Sequence, residues 1–195
     1  AIDIASNTSE SSTPLSITID LIPPDSPTTL DLNAESDTGS SYRDNLTNDT
    51  TPTISGIAED GSLIELFSNE SFLGNTTADS SSGAWFFEVP ADSELSAGSN
   101  SITAKSTDLA GNLSSASDAL SISIDTTAPV LTSVGSAANL DENSGTNQLV
   151  YTAIAIDNVA DVVNPILFLL KQNNSDDAEA FSINTSSGEV RLTAN

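Results

Sequence analysis

The stretch IDIASNTSESSTPLSITID, Ile2 to Asp20, and the stretch TDLAGNLSSASDALSISID, Thr107 to Asp125, are two copies of one pattern set 105 positions apart. Asp3 maps onto Asp108, Asn7 onto Asn112, Leu15 onto Leu120, Ile17 onto Ile122, Ile19 onto Ile124 and Asp20 onto Asp125. Each copy ends in a run, LSITID or LSISID, in which every second residue is apolar, the signature of a strand with one buried face. A repeat of about a hundred residues marks tandem modules, each folding around its own core. On this reading residues 1–20 are the last strands of one module, and residues 21–125 are a complete second one.

The same alternation recurs through the second module. TISGIA (Thr53 to Ala58), LIELFS (Leu63 to Ser68), AWFFEV (Ala84 to Val89) and NSITAKS (Asn100 to Ser106) all predict strands. No stretch holds a helical stripe, and the Ser, Thr and Asn residues in between favour pleated or turn conformations over helix. Turns are expected at Glu59 to Ser62, Ser81 to Gly83 and Ala97 to Ser99, spaced as in a small antiparallel sandwich. Trp85, Phe87, Leu66, Ile54, Ile102 and Ile124 are the expected core.

Composition limits the chemistry. Four Lys and Arg against 28 Asp and Glu give a net charge of -24, with no His, Cys or Met. Such a surface repels phosphate backbones and anionic lipid, so nucleic acid and direct membrane contact are not expected. Without Cys or His there is no disulfide, no soft-metal site and no Ser-His or Cys-His nucleophile. Carboxylates, hydroxyls and backbone carbonyls remain, hard donors that select calcium or magnesium. Solubility alone also explains an acidic surface. No apolar run is long enough to span a membrane, and no leader or lipidation motif is present.

The segment SDTGSSYRDNLTNDTTPTISG, Ser36 to Gly56, spaces Asp37, Asp44 and Asp49 by seven and five residues in a Gly-, Asn- and Thr-rich loop. With TADSSSGAWFFEV, TAKSTDLAGNLSS and SIDTTAP in the same order, it resembles the bacterial immunoglobulin-like repeat of giant RTX-type surface adhesins. The resemblance covers residues 21–129. It implies a seven-stranded sandwich, repeated many times, that holds an adhesive tip away from the cell and is stiffened by calcium near the domain junctions.

The residues point to calcium independently. A junction ion takes six to eight oxygens, more than one short loop readily supplies, so ligands from two modules converge on it. Asp3, Asn7 and Asp20 from the preceding module and Asp37, Asp44 and Asp49 from the next are the expected ligands of such a junction. Asp60, Asp79 and Asp92 sit at hairpin tips and are read as turn residues.

Beyond Pro129, LDENSGTNQLVYTAIAIDN (Leu140 to Asn158) and the segment ending AFSINTSSGEVRLTAN resemble a cadherin-like repeat that breaks off before its last two strands. The resemblance makes residues 126–195 a partial cadherin-like domain. It implies that Glu142 and Asp157 bind calcium. One ion held by Asp108, Asp125, Glu142 and Asp157, with Asn112 in the same loop as Asp108, is the expectation for the second junction. The linker Asp125 to Pro129 lacks the acid-rich character of animal cadherin linkers.

The fold expectation is therefore all-β: tandem Ig-like sandwiches followed by a partial cadherin-like one. The functional expectation is a calcium-rigidified extender of a large bacterial cell-surface adhesin, not an enzyme, with neighbouring modules of its own chain as partners and an adhesion target that the sequence does not name. The alternative is a polysaccharide- or protein-binding sandwich, which calls for an aromatic platform on an exposed sheet. Only Tyr42 and Tyr151 stand out for that, with Trp85 and the Phe residues assigned to the core.

Overall fold

The structure, a computed structural model, describes residues 1–39, 41–133, 135, 139, 145–157, 166–171 and 180–193. The chain divides into two compact units, Ala1–Ile124 and Asp125–Asn195, and the described residues contain no α-helix.

In the first unit, a three-stranded sheet runs in the order β1 (Thr28–Leu32), β3 (Thr53–Ile57), β6 (Ala84–Glu88). A five-stranded sheet runs in the order β2 (Leu46–Thr47), β8 (Leu120–Ile124), β7 (Gly98–Thr107), β4 (Leu63–Ser68), β5 (Ser71–Thr77). All pairings are antiparallel except the short β2, which lies parallel to β8 with Leu46 opposite Ser123 and Thr47 opposite Ile124. Alternation places one row of each strand inward. Ile54 of β3 and Trp85 and Phe87 of β6 meet Ile64 and Leu66 of β4, Ile102 and Ala104 of β7, and Ile122 and Ile124 of β8 in a single buried cluster. One core drawn from two facing sheets is a β-sandwich.

Two close contacts along the β3–β6 pair leave room only for glycine. Gly56 lies beneath the Trp85 indole so closely that a Cβ there would stand 2.7 Å from Trp85 Cε2. Gly83, at φ 65°, closes the turn before β6, and a side chain on it would strike the Ala58 carbonyl. Asp79 shapes that turn: its Oδ1 accepts from the backbone and hydroxyl groups of both Ser81 and Ser82. These bonds hold the Asp79 carboxyl below its ordinary range, the Ser81 hydroxyl most strongly.

Where β8 has not yet begun, serine hydroxyls take over the ladder. Ser106 N–H donates to Ser114 Oγ and Ala104 N–H to Ser117 Oγ, both buried. Local side chains thus satisfy backbone groups that a strand would otherwise pair.

Residues 1–20 lie outside the sandwich. The alternation at Leu15 to Asp20 predicts a strand, but none forms there. Leu15, Ile17 and Ile19 are 84%, 72% and 78% exposed. A strand needs a partner ladder, and the described residues offer this segment none.

The second unit contains β9 (Val130–Leu131), β10 (Leu149–Thr152), β11 (Ala155–Ile156), β12 (Phe181–Ile183) and β13 (Glu189–Leu192). β13 lies between β10 and β12, and β9 pairs with β11, all antiparallel. Its β12–β13 turn repeats the Asp79 turn. Asn184 Oδ1 accepts from the Ser186 and Ser187 amides, and Gly188, at φ 70°, lies against the Ala153 carbonyl.

Candidate metal-binding loop

The connection from β1 to β3 carries Asp37, Asp44 and Asp49, and hydroxyl groups hold it in shape. Buried Thr47 Oγ1 donates to the Ser36 carbonyl, lies 3.1 Å from Thr38 Oγ1 and accepts from the Asp49 amide. Thr38 Oγ1 donates to Asn48 Oδ1 and accepts from the Asn48 amide. Ser36 Oγ accepts from the Thr53 amide, fixing the loop to the start of β3. Asn45, at φ 57°, turns the chain so that its carbonyl accepts from Ser123 of β8.

This network leaves Asp37 only 5% exposed. Its Oδ2 accepts from the Asn45 amide at 3.3 Å, while Oδ1 is buried and accepts no hydrogen bond among the described residues. Burial pushes its carboxyl above the ordinary range; the Asn45 amide and, more weakly, the Asp44 amide oppose this, while the charges of Asp44 and Asp31 add to it. A buried carboxylate oxygen without a donor, beside two further carboxylates, carries a desolvation cost that a cation would remove.

Asp44 is exposed and its Oδ1 accepts from Leu46 N–H at 3.2 Å. Asp49 instead closes a turn, its Oδ1 taking the Thr51 amide and hydroxyl. So Asp44 of the loop and Asp31 of β1 both act on Asp37 through their charge.

Asp20, expected to join Asp37, Asp44 and Asp49, stands at the other end of the sandwich. On β7, Gly98 pairs with Ile124 at the end where β2 and the Asp37 loop lie, whereas Thr107 pairs with Leu63 at the far end. The ten residues of β7 separate those ends by about 30 Å. Asp20 belongs to the far end, because its carbonyl accepts from Asn112 Nδ2, just beyond Thr107, at 3.3 Å.

Asp108 is already satisfied within its own turn. Its Oδ1 accepts from the Ala110 and Asn112 amides and its Oδ2 from Asn112 Nδ2, each at 2.8 Å. Asn112 is the main cause of its lowered pKa. Asp3 is bonded in the same way by Ala5 and Asn7, at 2.9 Å, and Asn7 lowers its pKa.

In the second unit, Thr127 brings two expected ligands to one hydroxyl. Its Oγ1 lies 2.7 Å from Asp125 Oδ1 and 3.3 Å from Asp157 Oδ1. Glu142 lies outside the described residues. Among the described residues, no three His, Cys, Asp or Glu side chains gather as a set that could hold a metal ion.

Aromatic exposure also departs from expectation. Phe87 is buried, but Phe86 and Phe72 are 61% and 55% exposed. Consecutive strand residues face opposite ways, so the Phe86–Phe87 pair had to split between core and solvent.

Two facing sheets around one core, with a short parallel strand beside the last and a long hydroxyl-bound first connection, define an immunoglobulin-like sandwich. The chain belongs to the bacterial Ig-like domain family, whose profile matches residues 24–126. No curated protein matches the chain. Domains of this family are typically non-enzymatic structural modules, usually extracellular or at the cell surface. No helix among the described residues is long and apolar enough to cross a membrane.

Proposed function

We propose that this chain is a calcium-rigidified extender segment of a large RTX-type bacterial surface adhesin. On this reading Ig-like modules are followed by a partial cadherin-like one, and together they space an adhesive tip from the cell. The observation that carries it is Asp37, a buried carboxylate with one oxygen unpartnered and with Asp44 and Asp31 close by. Asp37 and Asp44 would hold the ion, and carbonyls, hydroxyls and water would complete an oxygen shell. Bound there, calcium neutralises mutually repelling acids and fixes the long β1–β3 loop at the end of the sandwich from which β8 runs on toward Asp125. Any ion that binds only the folded domain also stabilises it by mass action.

Melting and small-angle scattering with and without a chelator test the reading. Chelation is expected to lower the melting temperature and broaden the distribution of shapes. Unchanged melts and profiles would overturn it.

Exposed Phe86 and Phe72 favour a second reading as a polysaccharide- or protein-binding module. Phe67 and Phe72 stack edge to face at 5.7 Å, and Lys105 Nζ sits 5.7 Å from the Phe67 ring. A saturable hit on a glycan array that is lost in Phe72→Ser would support that reading, and a blank array would remove its glycan form.

A further inference from the structure

The outer face of the five-stranded sheet carries a compact set of side chains that calcium binding at the Asp37 loop does not use. Asn75 of β5 and Lys105 of β7 are the cross-strand partners of Glu65 on β4. Cross-strand partners share a face, so an amide, a carboxylate and an ammonium stand in one row about 10 Å long. Phe72, Phe67 and Thr103 form the next row on that face. Among the described residues, the side chains of Asn75, Glu65 and Lys105 make no hydrogen bond or ion pair. Lys105 Nζ lies 5.7 Å from the centre of the Phe67 ring, which props Phe72 edge to face at 5.7 Å. Phe72 itself is 55% exposed.

Glu65 and Lys105 are the only charged residues at the outward positions of β4, β5, β7 and β8. Serines and threonines fill most of the others, with the hydroxyls of Ser99 and Ser121 3.5 Å apart. This face therefore has no net charge, in a chain whose net charge is -24. The outer face of the three-stranded sheet differs. There Phe86 lies opposite Ser55, Ser55 lies opposite Asp31, and Glu88 follows on the same side of β6. Neither β1, β3 nor β6 contains a Lys or Arg to offset those acids.

The geometry points to a binding site for a neutral polysaccharide on the outer face of the five-stranded sheet, with Phe72 as the stacking surface and Asn75, Glu65 and Lys105 as the row that binds hydroxyls. The site rests on the second reading of the function and deepens it, fixing the sheet, the charge of the ligand and its independence from calcium. A pyranose has C–H groups on its faces and hydroxyls around its rim, which matches an aromatic ring beside unengaged polar groups. Hydroxyls donate and accept, so one rim satisfies the carboxylate, the ammonium and the amide together. A polyanionic glycan is repelled by Glu65 and by the chain's net charge, and a polycationic one meets Lys105. A neutral chain covers Glu65 and Lys105 as an adjacent pair of opposite sign, whereas at Phe86 it would cover two acids with no counterion, at a desolvation cost.

The experiment probes the whole chain, in chelator, against an array of neutral oligomers of glucose, mannose, galactose and N-acetylglucosamine, with uronic acid and glucosamine oligomers as charged arms. Titration calorimetry then follows each hit. At least one neutral oligomer should bind saturably and more tightly than any charged one. Phe72→Ser should abolish that binding. Glu65→Gln, which keeps the size of the side chain, should weaken it about tenfold by removing a charged acceptor. Melts read by Trp85 fluorescence should show both variants folded. Binding that survives Phe72→Ser and is lost in Phe86→Ser, or that needs calcium, overturns the inference while the binding-module reading stands. So does tighter binding of a charged oligomer. Self-association that sedimentation shows to depend on Phe72, with no saturable glycan, makes a second copy the occupant and also overturns it. An array blank for every oligomer overturns the inference together with the glycan form of the second reading.

Discussion

Asp37→Asn separates a carboxylate that waits for a cation from one that merely caps a turn, because the two roles predict opposite signs in chelator. The amide keeps an oxygen to accept the Asn45 N–H and removes a negative charge held near Asp44 and Asp31. A buried polar group left unsatisfied costs about 1–3 kcal/mol, and a charged one more. Because the amide still leaves one position without a partner, the gain in chelator should be about 1 kcal/mol, a rise in melting temperature of roughly 4–8 °C for a domain of this size. Calcium reverses the order. At a free concentration of 100 times its Kd, an ion adds about 2.7 kcal/mol to the wild-type domain, and the variant gains little of it. Trp85, the single tryptophan and 1% exposed in the first unit's core, makes fluorescence a reporter of this domain alone. The reasoning fails if Asp37→Asn is less stable than wild type in chelator, or if calcium raises both melts equally.

Gly56→Ala should destabilise the first unit by about 1–3 kcal/mol, because the new methyl meets the indole of its cross-strand partner Trp85 and pushes it from its place in the core; a neutral chemical-denaturation midpoint refutes it. Thr47→Val should cost about 1–3 kcal/mol by leaving the Ser36 carbonyl and the Asp49 amide without their partner, and it should weaken calcium binding by titration calorimetry. Acid titration in chelator should show two opposing phases. Asp37 has a raised pKa, so the native state takes up its proton first and stability rises as pH falls through that value. Asp79 and Asp108 have lowered pKa values, so their contribution is present above the ordinary carboxylate range and is lost as pH falls toward their folded values. Saturating calcium should erase the first phase; melting curves against pH that only descend would refute the assignment.

The sandwich was largely legible in the sequence because its long strands have one wet face. LIELFS, AWFFE and LSISI alternate cleanly, and the six expected core residues are all buried. β5 escaped notice because SFLGNTT holds a glycine and an asparagine, and its pairing with β4 rather than its own pattern makes it a strand. LSITID failed for the converse reason: its pattern is that of β8, but pattern without a ladder leaves an exposed chain. At the site, spacing singled out Asp37, Asp44 and Asp49 as one loop's carboxylates. It could not say at which end of the sandwich they stand, because a two-residue parallel pairing between β2 and β8 decides that, and two residues carry no periodicity.

That pairing gives the module two chemically different ends. At the far end, the Asp108 carboxylate is fully committed to its own turn, and its counterpart Asp3 forms the same bonds in a hairpin that has no sheet behind it. A carboxylate satisfied this completely would have to break several donors' bonds to reach an ion, so the turn holds its shape whether or not calcium is present. At the other end, the loop buries Asp37 and leaves one of its oxygens without a donor, with Asp44 and Asp31 raising the local charge. Among the described residues, a buried carboxylate oxygen without a hydrogen bond occurs only at this end. A calcium response should therefore appear first in the β1–β3 loop. In spectra recorded across a calcium titration, the amides of Asn45, Leu46 and Asp49 should shift at the lowest ion concentrations and those of Ala110 and Asn112 last; the reverse order would place the ion at the Asp108 turn and refute the polarity argued from the bonds.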